Sequence, residues 1–371
     1  MPRQRRHPIS PEIVAVIEAD RAREARRRDA YGEVRPIIHT DFQGHKFVAV
    51  GDSLHWSRNW KTVPDFLGDY IKAVLGKEWG NAELVKPQTE RHPILQWYGA
   101  LCRLQQRTKE RTPGGQDGIY ESELDGPSRA YLLLAYDLYV LRDNLRLQES
   151  LVRRLKHRDQ FQGARYELFV AATMIRAGFD VEYEDERDST QKHPEFRATD
   201  KRTKQVIAVE AKSRHRPGVL GRPGVVESAR DFRLGLRGLL EAALEKPVEH
   251  PYVIFIDANM PPEIASPLSL VGWRQEVEKA VRLVDIGITG AGLYAGSGFA
   301  LLVVTNTPDY YGREAGRVPG DLFYAVRPAV SARPLEHPEV IDRVEQALKQ
   351  YGNIPMAFPA PVSVAGLGNP G

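Results

Sequence analysis

Three short apolar runs constrain this chain most: Val206 to Val209, Tyr252 to Ile256 and Phe299 to Val304. Near-continuous apolar runs of this length are typical of strands covered on both faces. Between them lie segments with helical character, Glu227 to Leu244 and Trp273 to Val284. Alternation of that kind predicts a mixed sheet with helices on both sides. Upstream, Phe179 to Tyr183 and Pro194 to Thr199 read as two further strands, and Asp200-Lys201-Arg202-Thr203 as the turn into the Gln205–Glu210 strand. An amphipathic helix from about Ala164 to Ala177, with Leu168, Ala171, Ala172 and Ile175 on its buried face, precedes them and closes at Gly178. The order is thus a helix, a three-stranded meander, and then helix and strand crossovers.

Charged residues sit at unusual places on this frame. Glu167 borders the apolar stripe of the helix, where a carboxylate is costly unless it is paired or binds metal. Pairing with Arg187 or Lys192, or escape to solvent, is the structural alternative. Glu195 follows Pro194 at a strand start, and the third strand ends in Glu210-Ala211-Lys212. Side chains alternate along a strand, so Glu210 and Lys212 share one face while Ala211 turns to the other. Carboxylates of this kind suit a hard divalent cation, which takes oxygen ligands and is completed by water and a substrate phosphate. Beside them, an ammonium can hold or deprotonate a water or neutralise developing charge. The chemistry to which the set points is metal-assisted hydrolysis of a phosphodiester.

The order helix-Glu, Pro194-Glu195-Phe196, strand, Val209-Glu210-Ala211-Lys212 resembles the PD-(D/E)xK superfamily of nucleases, over about residues 161–308. The resemblance implies a restriction-endonuclease-like fold. It implies metal ligation by Glu195 and Glu210 with Mg²⁺ or Mn²⁺, a supporting role for Glu167, and care of the attacking water by Lys212. The chain departs from the superfamily in carrying Glu195 where Asp is usual, which leaves Asp188 and Asp200 as alternative acids. Many members act in restriction, repair or defence against foreign DNA, so a defence role is implied by the likeness alone.

With 371 residues the chain is long enough for two domains, and its 42% hydrophobic and 27% charged residues are those of ordinary globular protein. Its single cysteine, Cys102, excludes an internal disulfide framework and a cysteine-rich zinc module, so a cytoplasmic setting is expected. No secretory signal or membrane-spanning run is apparent. A net charge of +3 permits a nucleic-acid partner without demanding one.

The expected division is a mainly helical N-terminal domain with a small β-hairpin (1–158), a nuclease-like domain (159–330), and a C-terminal helix and tail (331–371). Ser10-Pro11-Glu12 reads as the start of an arginine-rich helix reaching about Arg28. Residues 35–60 read as two short strands with a glycine-bearing turn, Gln43-Gly44-His45. Four of the five tryptophans, Trp56, Trp60, Trp79 and Trp97, follow close together. They could form a stacking platform for unpaired bases or the core of a helical unit. A turn-rich stretch at 107–128 leads to a helix from Ser128 to about Arg158, with a break expected near Asn144. The Arg- and Gly-rich loop after Lys212, with Arg214, Arg216 and Arg222, could close over a phosphate backbone or be a plain surface loop. Gly366-Leu367-Gly368-Asn369-Pro370-Gly371 spells a dinucleotide-binding pattern but has no helix behind it.

Two functions are compatible with these features. One is a Mg²⁺-dependent endonuclease acting on DNA, RNA being the lesser expectation. A double-strand cut needs two sites, so a homodimer, or a partner protein held by the N-terminal half, fits that reading. The other is a nucleic-acid-binding or assembly module that keeps the fold without cutting.

Overall fold

The computed structural model describes residues 10–112, 116–144, 147–184, 193–220, 224–225, 235–259, 274–284, 298–306, 323–328 and 330–359. The described residues make a mixed α/β protein. A six-stranded mixed sheet lies beside a mainly helical N-terminal half that carries a three-stranded antiparallel sheet.

The N-terminal half opens with α1 (Pro11–Tyr31), whose N-cap Ser10 accepts a hydrogen bond from the Ile13 amide, as the Ser-Pro-Glu start requires. The small sheet contains β1 (Ile38–Phe42), β2 (His45–Val50) and, beyond the two strands expected from the sequence, β3 (Ser53–Ser57). Helices α2 (Val63–Leu75), α3 (Lys77–Leu84), α4 (Pro93–Arg111) and α5 (Gly126–Asn144) follow. Helix α2 begins in a capping box in which Thr62 and Asp65 satisfy each other's amides. Trp60, Phe66, Tyr70 and Trp97 are buried, so these rings belong to the core and are closed to bases, whereas Trp56 is 61% exposed and stacks on Phe47.

The expected break after Asn144 is present: α5 gives way to α6 (Glu149–Lys156), and His157 separates α6 from α7 (Arg158–Arg176). Helix α7 therefore starts one and a half turns earlier than its apolar stripe indicates, because Arg158 to Gly163 pack against the N-terminal half through Phe161. Nearly every residue of α7 from Phe161 onward is buried. One continuous core runs from Val34 to Ile354 and includes α2, α4, α5 and α7, together with one face of the large sheet.

The large sheet has β4 (Phe179–Tyr183), β5 (Phe196–Asp200) and β6 (Val206–Ser213) as an antiparallel meander. β7 (Tyr252–Asp257) and β8 (Leu301–Thr305) then add in parallel, and β9 (Phe323–Val326) closes the edge antiparallel. Val209, Ala211, Val253 and Phe255 face the α7 side. Ala208, Tyr252, Ile254 and Ile256 face the other side, under α8 (Leu236–Leu244) and α9 (274–284). The helix expected over 227–244 is observed from Leu236; residues 226–234 lie outside the described set, as does the glycine-rich end of the chain. The C-terminal helix α10 (Glu339–Gln350) packs on α7 and on the end of α1.

Two buried polar clusters tie these layers together. At the first, Tyr351 after α10 donates to Asp137 of α5 at 2.5 Å, while Arg165 of α7 lies 3.2 Å from the same carboxylate. Burial pushes Asp137 up to about 6 against the pull of Arg165 and Arg176. At the second, Arg343 of α10 grips Asp200 at the end of β5 through two hydrogen bonds of 2.8 and 2.6 Å. This fork, with help from Thr203, outweighs burial and holds the Asp200 carboxyl well below its usual range. Asp200 is thereby committed to the fold and is not a substitute acid for the site around Glu195.

Arg343→Ala would strand a carboxylate with no exposed surface. The expected loss is about 3 kcal/mol at neutral pH, the low end for a broken buried pair because Arg343 itself keeps some solvent contact. A depressed carboxyl stabilises the fold above its unfolded value, about pH 4, and that contribution fades as pH falls toward its folded value. Denaturant unfolding should therefore show the gap between mutant and parent narrowing in strong acid.

Candidate active site

Strand β6 supplies the centre of the site. Period-two alternation and the assignment of Val209 and Ala211 to the α7 face place Glu210 and Lys212 on the α8 face, in register with Ile254 and Ile256. Glu210 has no exposed surface, and Lys212 lies beside it with its Nζ 2.6 Å from Glu210 Oε1. Glu195 immediately precedes β5, its amide donating to the Val209 carbonyl, so it sits next to Glu210 across the meander. Proline at 194 supplies no amide donor, consistent with pairing that starts only at Glu195.

A residue not singled out in the sequence completes this group. Lys246 follows the end of α8, where its amide bonds the Ala243 carbonyl. Its Nζ lies 2.8 Å from Glu210 Oε1, 2.9 Å from Glu210 Oε2 and 3.5 Å from Glu195 Oε1. In sequence it is only a lysine between a helix end and Pro247; its one signal is the preference for cations at a helix C-terminus.

Glu167 comes from the α7 side. Its carboxylate is held by Arg154 of α6 in a fork of 2.6 and 2.5 Å; Arg187 and Lys192, the partners weighed from the sequence, lie outside the described residues. Glu167 is still close enough to act on Glu195 electrostatically. Gly163 leaves room here: a β-carbon at that position would stand 3.8 Å from His215 Nε2 and 4.0 Å from Glu167 Oε1. His215 thus borders the site as well.

The electrostatics follow from burial and like charge. Glu195 is pushed up to about 7, first by burial and then by the Glu167 and Glu210 carboxylates, and the two lysines only partly offset this. Burial works against the charge on Lys212, but Glu210 and Glu195 outweigh it and raise its pKa. Lys212 is therefore a held cation. Tyr252, on the same face as Glu210, is also raised, by burial and by the neighbouring carboxylates, and donates to the Ala243 carbonyl at 3.0 Å.

The loop arginines divide. The Arg214 backbone is fixed by Asp257 and Asn259, and its guanidinium packs against Gly235 at the start of α8. Arg216 is 1% exposed, so it is part of the interior and not an open phosphate contact, contrary to the expectation for a surface loop. Its charge acts on the buried Asp257, which burial pushes up to about 7. Arg222 and Asp188 lie outside the described residues.

Among the described residues no three His, Cys, Asp or Glu side chains gather closely enough to form a ligand set alone. Glu195 and Glu210 nevertheless fit a divalent cation in kind. Glu210 is a buried oxygen donor and Glu195 a partly buried one, and burial together with the Glu167 and Glu210 carboxylates raises Glu195, a cost that bound positive charge would relieve. Two carboxylates, with water and a phosphate, are what a magnesium site ordinarily needs.

Because Glu195 has a higher pKa folded than unfolded, its protonation stabilises the fold fully below about pH 4. That contribution is lost as pH rises through about 7. In chelator, Glu195→Gln should therefore melt above the parent at pH 8, with the difference shrinking steadily toward pH 4; a gap independent of pH in thermal denaturation would refute the assignment. Comparisons of the chain with protein-family models, with curated proteins and with solved structures returned no match.

Proposed function

We propose that the protein is a metal-dependent nuclease of restriction-endonuclease-like fold, hydrolysing phosphodiester bonds in DNA. The observation that carries this reading is the juxtaposition of Glu195, Glu210 and Lys212 at one place on the sheet, with Lys212 2.6 Å from Glu210. A divalent Mg²⁺ or Mn²⁺ ion, when bound, would supply Lewis acidity toward a phosphoryl oxygen and lower the pKa of a water. Glu195 and Glu210 would hold it. Lys212, kept protonated by its carboxylate neighbours, donates hydrogen bonds to the attacking water or to a phosphate oxygen and does not serve as the proton acceptor. Arg154 fixes Glu167, whose negative charge adds to the field at Glu195. Defence against foreign DNA is the role the superfamily likeness favours, and a cytoplasmic protein that pairs with itself or a partner to cut both strands is consistent with it.

One observation favours the second reading, a nucleic-acid-binding or assembly module that does not cut. Two ammonium groups already neutralise Glu210, and Glu167 is committed to Arg154, so two of the three acids have cationic partners without an ion.

Nicking of supercoiled plasmid in Mn²⁺ or Mg²⁺, with linear double-stranded DNA, single-stranded DNA and RNA as alternative substrates, separates the two. The nuclease reading expects cleavage by the parent protein and a loss of about 100-fold or more in Lys212→Ala, the usual cost of deleting one group that stabilises the transition state. Cleavage unchanged in Lys212→Ala would remove Lys212 from the chemistry. Absence of cleavage of every substrate would favour the binding module.

A further inference from the structure

We propose that Lys246 is a tethered counter-ion for the Glu195 and Glu210 pair, and that a divalent cation enters the site only by displacing its ammonium. This inference rests on the metal-site reading above. Geometrically, the Lys246 Nζ bridges both carboxylates, within 2.9 Å of both Glu210 oxygens and 3.5 Å from Glu195. The arrangement is built in: the side chain is 13% exposed, its backbone is fixed by the Ala243 carbonyl, and Tyr252 bonds that same carbonyl from β7.

Charge balance makes the two occupants exclusive. With both acids ionised, the two carboxylates and two ammonium groups are neutral, and Glu210 has no contact with solvent. Adding a divalent ion without removing an ammonium would leave excess positive charge in a poorly hydrated site, where like charges repel strongly. Lys246 is the group to leave, because among the described residues it alone pairs with both acids from outside the strand, whereas Lys212 is held on the same strand as Glu210. Its four-carbon stem can swing away while the backbone stays. The site's apparent affinity for metal is then reduced by the fraction of molecules in which Lys246 occupies it. A lysine freed in this way also places a cation beside the ion, where a substrate phosphate would lie.

Isothermal titration of Mn²⁺ into chelator-stripped full-length protein tests this. Lys246→Met is expected to bind at least ~10-fold more tightly than the parent, since the competing ammonium is gone. In the same protein the melting temperature without metal should fall and be restored by Mn²⁺. A complementary measurement uses the unmutated protein and needs no variant to fold. Acylation of lysines with an amine-reactive reagent, read by mass spectrometry, should show Lys246 protected without metal and modified several-fold faster at saturating Mn²⁺, with exposed Lys77 unchanged. Equal or weaker Mn²⁺ binding by Lys246→Met, or Lys246 reactivity unmoved by Mn²⁺ that does bind, overturns the proposal and leaves the nuclease reading standing. Absence of Mn²⁺ binding by both proteins overturns the two together.

Discussion

A carboxylate with no solvent contact on a central strand, Glu210 on β6, is the constraint around which the large sheet is arranged. An uncompensated buried charge would be prohibitive, so the surrounding elements deliver cations to it. β6 itself brings Lys212, and the end of α8 brings Lys246. The parallel pairing of β6 with β7 and the packing of α8 on that face set the distance between the two lysines and the acid. The same demand extends to Glu195, where burial and two like-charged neighbours leave a carboxyl that titrates near neutrality. The candidate site thus carries its own electrostatic tension, which a cation in either form relieves.

The part of this arrangement legible in the sequence is the part governed by local periodicity. Glu210 and Lys212 share a face because strands alternate, and Glu195 lies beside Glu210 because the meander is short. The run Val206 to Val209 reads as a buried strand, and it is one. The cationic partners are another matter. Lys246 meets Glu210 across 36 residues, and Arg154 reaches Glu167 from a neighbouring helix whose angle depends on the break at His157. No spacing rule encodes such contacts, since they arise from how elements dock. Arg216 is a related case: an arginine in a Gly-rich loop reads as exposed, yet tertiary packing puts it in the interior beside Asp257.

The N-terminal half shows the same limit. Its aromatic residues could be read as a base-stacking platform or as a core, and packing around α2 and α5 decides for the core at Trp60, Phe66, Tyr70 and Trp97. The three-stranded sheet nevertheless keeps Ile38, Phe42, Leu54 and Trp56 toward solvent. Among the described residues, no helix is long and apolar enough to cross a membrane.

Helix α7 is wrapped on every side from Phe161 onward, touching α5 and α6, the sheet, and α10. A fragment severed at His157 would keep the large sheet but turn the α5-facing wall of α7 toward water, and would take away Arg154, the partner of Glu167. The helices before residue 158 are thus structural supports of the acidic centre, and the two halves of the chain are bound to each other through a shared beam.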